Sequence, residues 1–309
     1  RHSELADGHA EKAKGRYLRS RCLAPVMRSI EAGLNKFETR PRFCFYPSDK
    51  HIWEGKGNRT MRGLQGKNVV LTGGASGIGQ AISLRLGEEG CNVGIFDLNG
   101  DGANGVVEKI RAAGGTAESY TLDISDYDAV ANAVTAFESD CGPVGGLVNN
   151  AGWDKSMPFL DTDLELWHKV VAINLYGPLN LCHVILKGMA DRSAGKVVNI
   201  SSDAGRVGSS GEAVYAACKG GLIAFSKTMS RELARKGVTL NTICPGPTNT
   251  PLLAEQGPKL VAALERAVPM RRVAEPEDYP GLVSFFLSDD ASYITGQTIS
   301  VSGGLTMHG

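Results

Sequence analysis

The chain has 309 residues, with 33 Lys and Arg against 33 Asp and Glu, so its formal net charge is zero. No basic excess is present to attract nucleic acid, and no apolar run approaches the ~20 residues needed to cross a bilayer; the expectation is a soluble, cytoplasmic protein. Seven cysteines without a CxxC pair and six scattered histidines without ligand spacing predict free thiols and no metal, and an odd cysteine count without a signal-peptide pattern suits a reducing compartment.

In chain order, residues 1–60 show no sustained apolar period and no strand–helix alternation. They are expected to be a poorly ordered or upstream-translated extension without a part in catalysis. A mitochondrial-type leader would be acid-poor, which Glu4, Asp7, Glu11, Glu31 and Glu38 oppose. From Met61 to Gly309 the pattern alternates, with strands predicted near 68–72, 92–96, 117–122, 145–149, 195–200, 238–243 and 297–301 and helices between them. No linker interrupts this stretch. It predicts a single α/β domain, a doubly wound Rossmann-type fold with a seven-stranded parallel sheet and ligands at the carboxyl ends of the strands.

The first predicted strand runs directly into Gly73-Gly74-Ala75-Ser76-Gly77-Ile78-Gly79, which opens an apolar-periodic segment through Ile82, Leu84 and Leu86. Gly73 permits the tight turn, Gly77 lets backbone approach a pyrophosphate and Gly79 allows close helix packing, while the helix N-terminus offers N–H donors to the anion. The next strand ends in Asp97, eighteen residues after Gly79, where a carboxylate accepts from both adenosine ribose hydroxyls. A 2′-phosphate would meet a like charge there, and neither Ser76 nor Leu98 supplies a cation for it. The predicted cofactor is NAD rather than NADP.

Further along, Tyr215 and Lys219 stand four residues apart, one turn on a common helix face, with Ser202 thirteen residues upstream. A phenol has an ordinary pKa of about 10, and a nearby ammonium favours phenolate, so the pair predicts a general base for oxidising an alcohol, with the Ser202 hydroxyl as a third polar group. Cys218, inside this helix, reads as a small apolar filler. His168, among Leu164, Leu166 and Trp167, reads as a structural or surface histidine.

These motifs, together with Asp123-Ile124, Asn149-Asn150-Ala151-Gly152, Asn174 and Pro245-Gly246, make the stretch from Met61 to Gly309 resemble the short-chain dehydrogenase/reductase family. The resemblance implies that Tyr215 exchanges the proton, Ser202 bonds the substrate oxygen, and Lys219 lowers the Tyr215 pKa and holds the nicotinamide ribose. It implies that Asn174 holds a water linking Lys219 to solvent and that Asp123 and Ile124 flank the adenine. Asn150, Ala151 and Gly152 then shape the strand end beside the cofactor, with Asn149 structural. Thr250 is the expected partner of the carboxamide, with Thr248 as the competing candidate. A homotetramer built partly on the Tyr215 helix is also implied.

The substrate rests on more variable stretches. SDAGRVGSSGEAVYAACKGG, CPGPTNTPLL and SGGLTM resemble NAD-dependent dehydrogenases of ring β-hydroxyacyl-CoA esters in alicyclic and aromatic acid breakdown. Trp153 is a candidate apolar wall for a ring, Leu252 to Arg272 a candidate cover of the cleft, and Arg206, Lys259, Arg271 or Arg272 candidate contacts for CoA phosphates. Asp154 and Glu212 would repel a polyphosphate that they faced. A free cyclic-alcohol dehydrogenase, an NADP-dependent 3-oxoacyl carrier-protein reductase and a non-catalytic NAD-binding sensor or scaffold remain as alternatives.

Overall fold

Seven short segments pair side by side into one parallel sheet in a computed structural model that describes residues 61–254 and 258–307. Leu252, Ala254 and residues 258–260 are described in backbone only, and the extension predicted over residues 1–60 lies outside the described residues. The strands are β1 (Asn68–Thr72), β2 (Asn92–Asp97), β3 (Thr116–Thr121), β4 (Gly146–Asn149), β5 (Gly195–Ile200), β6 (Val238–Pro245) and β7 (Thr298–Val301). Every residue of β4, β5 and β6 is buried, the pattern of strands covered by helices on both faces.

The order is β3-β2-β1-β4-β5-β6-β7, as a doubly wound domain requires. Direction of winding reverses between β1 and β4, which opens a crevice at their carboxyl ends. β2 ends at Asp97 as expected, and one predicted strand is longer at that end, β6, which reaches Pro245. Successive side chains of β1 point to opposite faces. Leu71 joins a core with Ile82, Leu86, Ile95 and Phe286, whereas Val70 joins one with Phe96, Phe137, Leu181 and Met189.

The helices are α1 (Gly77–Glu88), α2 (Gly100–Ala112), α3 (Tyr127–Cys141), α4 (Leu164–Val171), α5 (Gly177–Asp191), α6 (Ala204–Val207), α7 (Ala213–Leu233), α8 (Pro251–Ala254), α9 (Pro258–Ala267) and α10 (Pro280–Leu287). Three begin under a side-chain cap: Asn99 accepts from Gly102 N, Asp126 from Ala129 N and Asp163 from Leu166 N, each satisfying a donor of the first turn. Ser76, before α1, makes no such bond.

Helices α4 and α5 are joined without a break by a π-turn, Ala172–Tyr176, into one 28-residue helix, Leu164–Asp191. By length and composition this helix is sufficient to cross a membrane, which the count of apolar runs did not anticipate. Its second half instead lies in the core through Leu181, Cys182, Ile185, Leu186 and Met189.

Candidate active site

The turn after β1 is built so closely that side chains are excluded from it. A Cβ on Gly79 would stand 1.9 Å from the Gly73 carbonyl oxygen and 2.5 Å from Asn150 Nδ2. Gly73 has a φ of +67°, and a Cβ there would lie 2.8 Å from Ala151 Cα. The end of β4 is stitched to the same turn: Thr72 Oγ1 accepts from the N–H groups of Asn150 and Ala151, both at 3.1 Å, and Asn150 Nδ2 donates to the carbonyls of Thr72 and Gly73 at 3.1 and 3.0 Å. Asn150 therefore braces the loop with its side chain. Ser76 is exposed, Gly77 and Ile78 are half-buried, and the first turn of α1 presents N–H groups without a side-chain cap.

Asp97 stands beside this turn. Its Oδ2 accepts from Ala75 N and its Oδ1 from Asn99 N, both at 2.8 Å, so the carboxylate is fixed in direction. A carboxylate offers about four lone-pair sites, which leaves capacity on each oxygen for a ribose hydroxyl. An uncapped helix N-terminus, a turn with glycine at its closest backbone approaches and this carboxylate together fit the pyrophosphate and adenosine ribose of a nicotinamide dinucleotide.

The remaining predicted cofactor residues rim the same strand ends. Asp123 is exposed, with Oδ1 accepting from Ser125 N and Ser125 Oγ, and Ile124 is buried after it. Asn149 is buried and donates to Asn199 Oδ1 at 2.8 Å. Pro245 closes β6, and Gly246 N donates to Val301 O at 3.1 Å. Of the two threonines, Thr248 is buried with its hydroxyl 2.6 Å from Tyr279 Oη. Thr250 lies near Gly77, and its hydroxyl makes a single long contact of 3.4 Å to Thr248 O.

Ser202, Tyr215, Lys219 and Asn174 come from three elements that pack unusually closely. A Cβ on Gly205 of α6 would stand 2.7 Å from the Gly220 nitrogen of α7, so the segment after β5 lies directly on the helix that carries Tyr215. Ser201 Oγ adds a bond to Lys219 O at 2.8 Å. Ser202 Oγ accepts from Ala204 N at 3.1 Å and is hydrogen-bonded to the Tyr215 phenol. Lys219 is buried and its Nζ donates to Ile200 O at 3.0 Å.

The electrostatics differ from the expectation for this pair. Burial pushes the Tyr215 phenol above its ordinary value, the Ser202 hydrogen bond works against this, and Glu212 and Asp154 raise it further. Lys219 Nζ sits 5.5 Å from the ring centroid and is turned to the Ile200 carbonyl. Burial also draws the Lys219 ammonium down to about 8, so the cation expected to favour phenolate is itself disfavoured by the low-dielectric surroundings. Cys218, one residue before it, is buried and its thiol is raised by burial, which suits a filler.

Asn174 occupies the π-turn, a helix irregularity that recurs at functional sites. Its Nδ2 donates to Trp153 O at 2.6 Å and Val170 O at 2.9 Å, and its Oδ1 accepts from Trp153 N at 3.3 Å. A Cβ on Gly152 would lie 3.0 Å from Asn174 Oδ1 and 3.3 Å from Lys219 Nζ. The two side chains thus converge on one exposed glycine at the end of the β4 loop.

On the segments that flank Tyr215 in sequence, a shallow solvent-open recess is lined by Asp154, Met157, Leu166, Val170, Glu212 and Val214 among others. Trp153 is half-buried with Lys169 Nζ 3.9 Å from its ring centroid, so the ring stacks under a cation. The cations proposed for CoA phosphates are largely engaged. Arg206 Nη1 donates to Ser300 Oγ at 2.7 Å, Arg271 Nη1 to Arg266 O at 2.7 Å, and Arg272 holds Asp278 at 2.6 and 2.8 Å; the Lys259 side chain lies outside the described residues. Sequence reasoning did not single out Asp203. It is buried directly after Ser202, with one oxygen bonded to Ser300 Oγ, and only its place next to Ser202 signalled it.

Comparison with known proteins gives a consistent set. The profile of the family described as Enoyl-(Acyl carrier protein) reductase matches residues 73–306. An acetoacetyl-CoA reductase of Shinella zoogloeoides is 39% identical over 237 residues, 76% of this chain and 97% of that protein. The 3-oxoacyl-[acyl-carrier-protein] reductase FabG of Thermotoga maritima is 32% identical over 79% of this chain and 99% of its own length. Among solved structures, a 3-oxoacyl-[acyl-carrier protein] reductase with bound NAD from Brucella melitensis superposes with a TM-score of 0.74 at 32% identity, covering 81% of this chain and 95% of that one.

Proposed function

The chain belongs to the short-chain dehydrogenase/reductase family, and on that premise we propose that it oxidises the secondary alcohol of a cyclic β-hydroxyacyl thioester, such as 2-hydroxycyclohexanecarboxyl-CoA, to the β-keto ester with NAD. The observation that carries the reading is the hydrogen-bonded Ser202–Tyr215 pair beside buried Lys219, at the strand ends that also carry the uncapped helix α1 and Asp97. NAD, when bound, supplies the hydride acceptor. Gly73, Ser76, Gly77, Ile78 and Gly79 receive its pyrophosphate, Asp97 its adenosine ribose, Asp123 and Ile124 its adenine, and Thr250 its carboxamide. Asn150, Ala151, Gly152, Pro245, Gly246 and Thr248 hold the surrounding backbone.

Ser202 orients the substrate oxygen and Tyr215 receives the hydroxyl proton. Lys219 and Asn174 meet at Gly152, where the proton leaves toward solvent. Lys219, drawn down to about 8, is able to exchange that proton under mildly alkaline conditions. The subunits are proposed to form a homotetramer packed partly on α7. The relatives favour a second reading, reduction of a 3-oxoacyl carrier-protein thioester, because two of the similar proteins carry that name; Asp97 weighs against the NADP that this alternative was expected to use.

The test is turnover of ring and straight-chain β-hydroxyacyl-CoA esters and free cyclohexanols with NAD and with NADP. Ring thioester oxidation with NAD favoured by roughly tenfold or more, reduced by Asp97→Asn, is the expected result. A preference for NADPH and a 3-oxoacyl carrier-protein thioester would move the assignment to the second reading, and no turnover of any alcohol or ketone would remove both.

A further inference from the structure

Asp154 occupies a position that the proposed mechanism does not use. It follows Trp153, whose backbone Asn174 grips from both sides, so its place relative to the catalytic residues is fixed. The facing segment is fixed as well, since Met157 N donates to Gly211 O at 2.9 Å. Between them lies the shallow recess that Asp154 and Glu212 line together with the apolar Met157, Leu166, Val170 and Val214. Val214 directly precedes Tyr215, and both carboxylates act on its phenol.

The Asp154 Oδ2 atom is buried without a hydrogen-bond partner. The cation in the same lining is Lys155, which is exposed. Lys219 is committed to the Ile200 carbonyl and Lys169 to the Trp153 ring. Two carboxylates in an otherwise apolar lining therefore resist a third negative charge brought beside them. Burial lifts the Asp154 carboxyl to about 6, which leaves it ionised at pH 8.

We propose that Asp154, with Glu212 in the same lining, is a specificity-determining residue that excludes substrates with a free carboxylate beside the reacting alcohol and admits the same skeleton as an uncharged ester or thioester. The proposal rests on the dehydrogenase reading and deepens it. It makes this site one that acts on an activated acyl compound, so an acyl-activating reaction must come before it, and hydrolysis of the thioester would remove the compound from its reach.

The experiment compares kcat/KM at pH 8 for 2-hydroxycyclohexanecarboxylate, its methyl ester, its CoA thioester and cyclohexanol, in the full chain and in Asp154→Asn and Glu212→Gln. The natural chain is expected to favour the ester over the free acid, and Asp154→Asn to lower that ratio by about tenfold through a gain on the acid. Equal use of acid and ester by the natural chain, or an unchanged ratio in both variants, would overturn the proposal. Failure to turn over any of the four compounds counts against the dehydrogenase reading, so calorimetric binding of cyclohexanecarboxylate and cyclohexanecarboxamide provides a readout free of turnover. Weaker binding of the carboxylate, relieved in Asp154→Asn, supports the exclusion. Carboxylate binding as tight as that of the amide refutes it.

Discussion

The cofactor side of the crevice and its substrate side are made of different materials. On the cofactor side the working parts are backbone: the turn from Gly73 to Gly79, the uncapped start of α1, and strand ends stitched by Thr72 and Asn150. On the proposed substrate side they are side chains on connecting segments, namely Trp153, Asp154, Met157 and Glu212. A backbone site of this kind tolerates almost no added atom. A side-chain site can be altered one residue at a time without disturbing the sheet, which is how one fold serves many substrates.

The sharpest way to separate the two sides is at the residue between them. Tyr215→Phe removes the proton acceptor while keeping the ring, and is expected to lower kcat by about 10³-fold or more with NAD affinity changed little. Steady-state rates combined with fluorescence titration of the nucleotide measure both. Loss of nucleotide binding in parallel with turnover would mean that the two sides are one cooperative unit. Retained turnover would mean that the base lies elsewhere.

A smaller but still large effect is expected from a single methyl on the cofactor side. In Gly79→Ala the new Cβ would meet the Gly73 oxygen at 1.9 Å, and neither backbone segment can give way without moving the end of β1. Nucleotide binding should fall by at least tenfold, with a stability cost of about 1–3 kcal/mol from overpacking. Calorimetry and chemical denaturation check it. An added methyl on the substrate side, such as Val170→Ile, tests the contrast and should leave nucleotide affinity unaltered; if both variants lose it equally, the division between backbone and side-chain sites fails.

The same division explains what was legible in the sequence. Seven strands were placed within about two residues, because most are short apolar runs ended by a turn, and the alternation with helices places even the polar β3 (Thr116–Thr121) in a parallel sheet. The cofactor turn was legible because glycine is required wherever backbone must approach backbone, and Gly79 against Gly73 is such a place. The electrostatics of Tyr215 and Lys219 were not legible. Helical spacing put the two groups together correctly, yet it could not report that Nζ would turn to Ile200 O or that burial would raise the phenol. Nor does spacing reveal a π-turn, since the extra residue that carries Asn174 inward is invisible in a continuous apolar pattern. The engagement of Arg272 with Asp278 likewise depends on a fold of the chain that composition does not encode.

The smallest effect predicted here tests whether the substrate side holds charge at a cost to the fold. Burial raises the Asp154 carboxyl from 3.8 to about 6, a bond from the Lys155 backbone opposes the shift, and Glu212 adds to it. An acid whose folded value lies above its unfolded one favours the native state when protonated. Its contribution is complete below the unfolded value of 3.8 and is lost as pH rises through about 6. Because the side chain is partly open to solvent, screening reduces the penalty to about 1 kcal/mol. Asp154→Asn, which cannot ionise, should therefore be more stable than the natural chain by about that amount at pH 8, with the advantage shrinking below pH 6 and absent near pH 4. Denaturant unfolding at the three pH values measures it. An advantage of constant size would trace to packing or to the amide's new hydrogen bonds, whereas one that vanishes with acid would mean that the site keeps an ionised carboxylate at the expense of stability, a trade that a purely structural residue would not require.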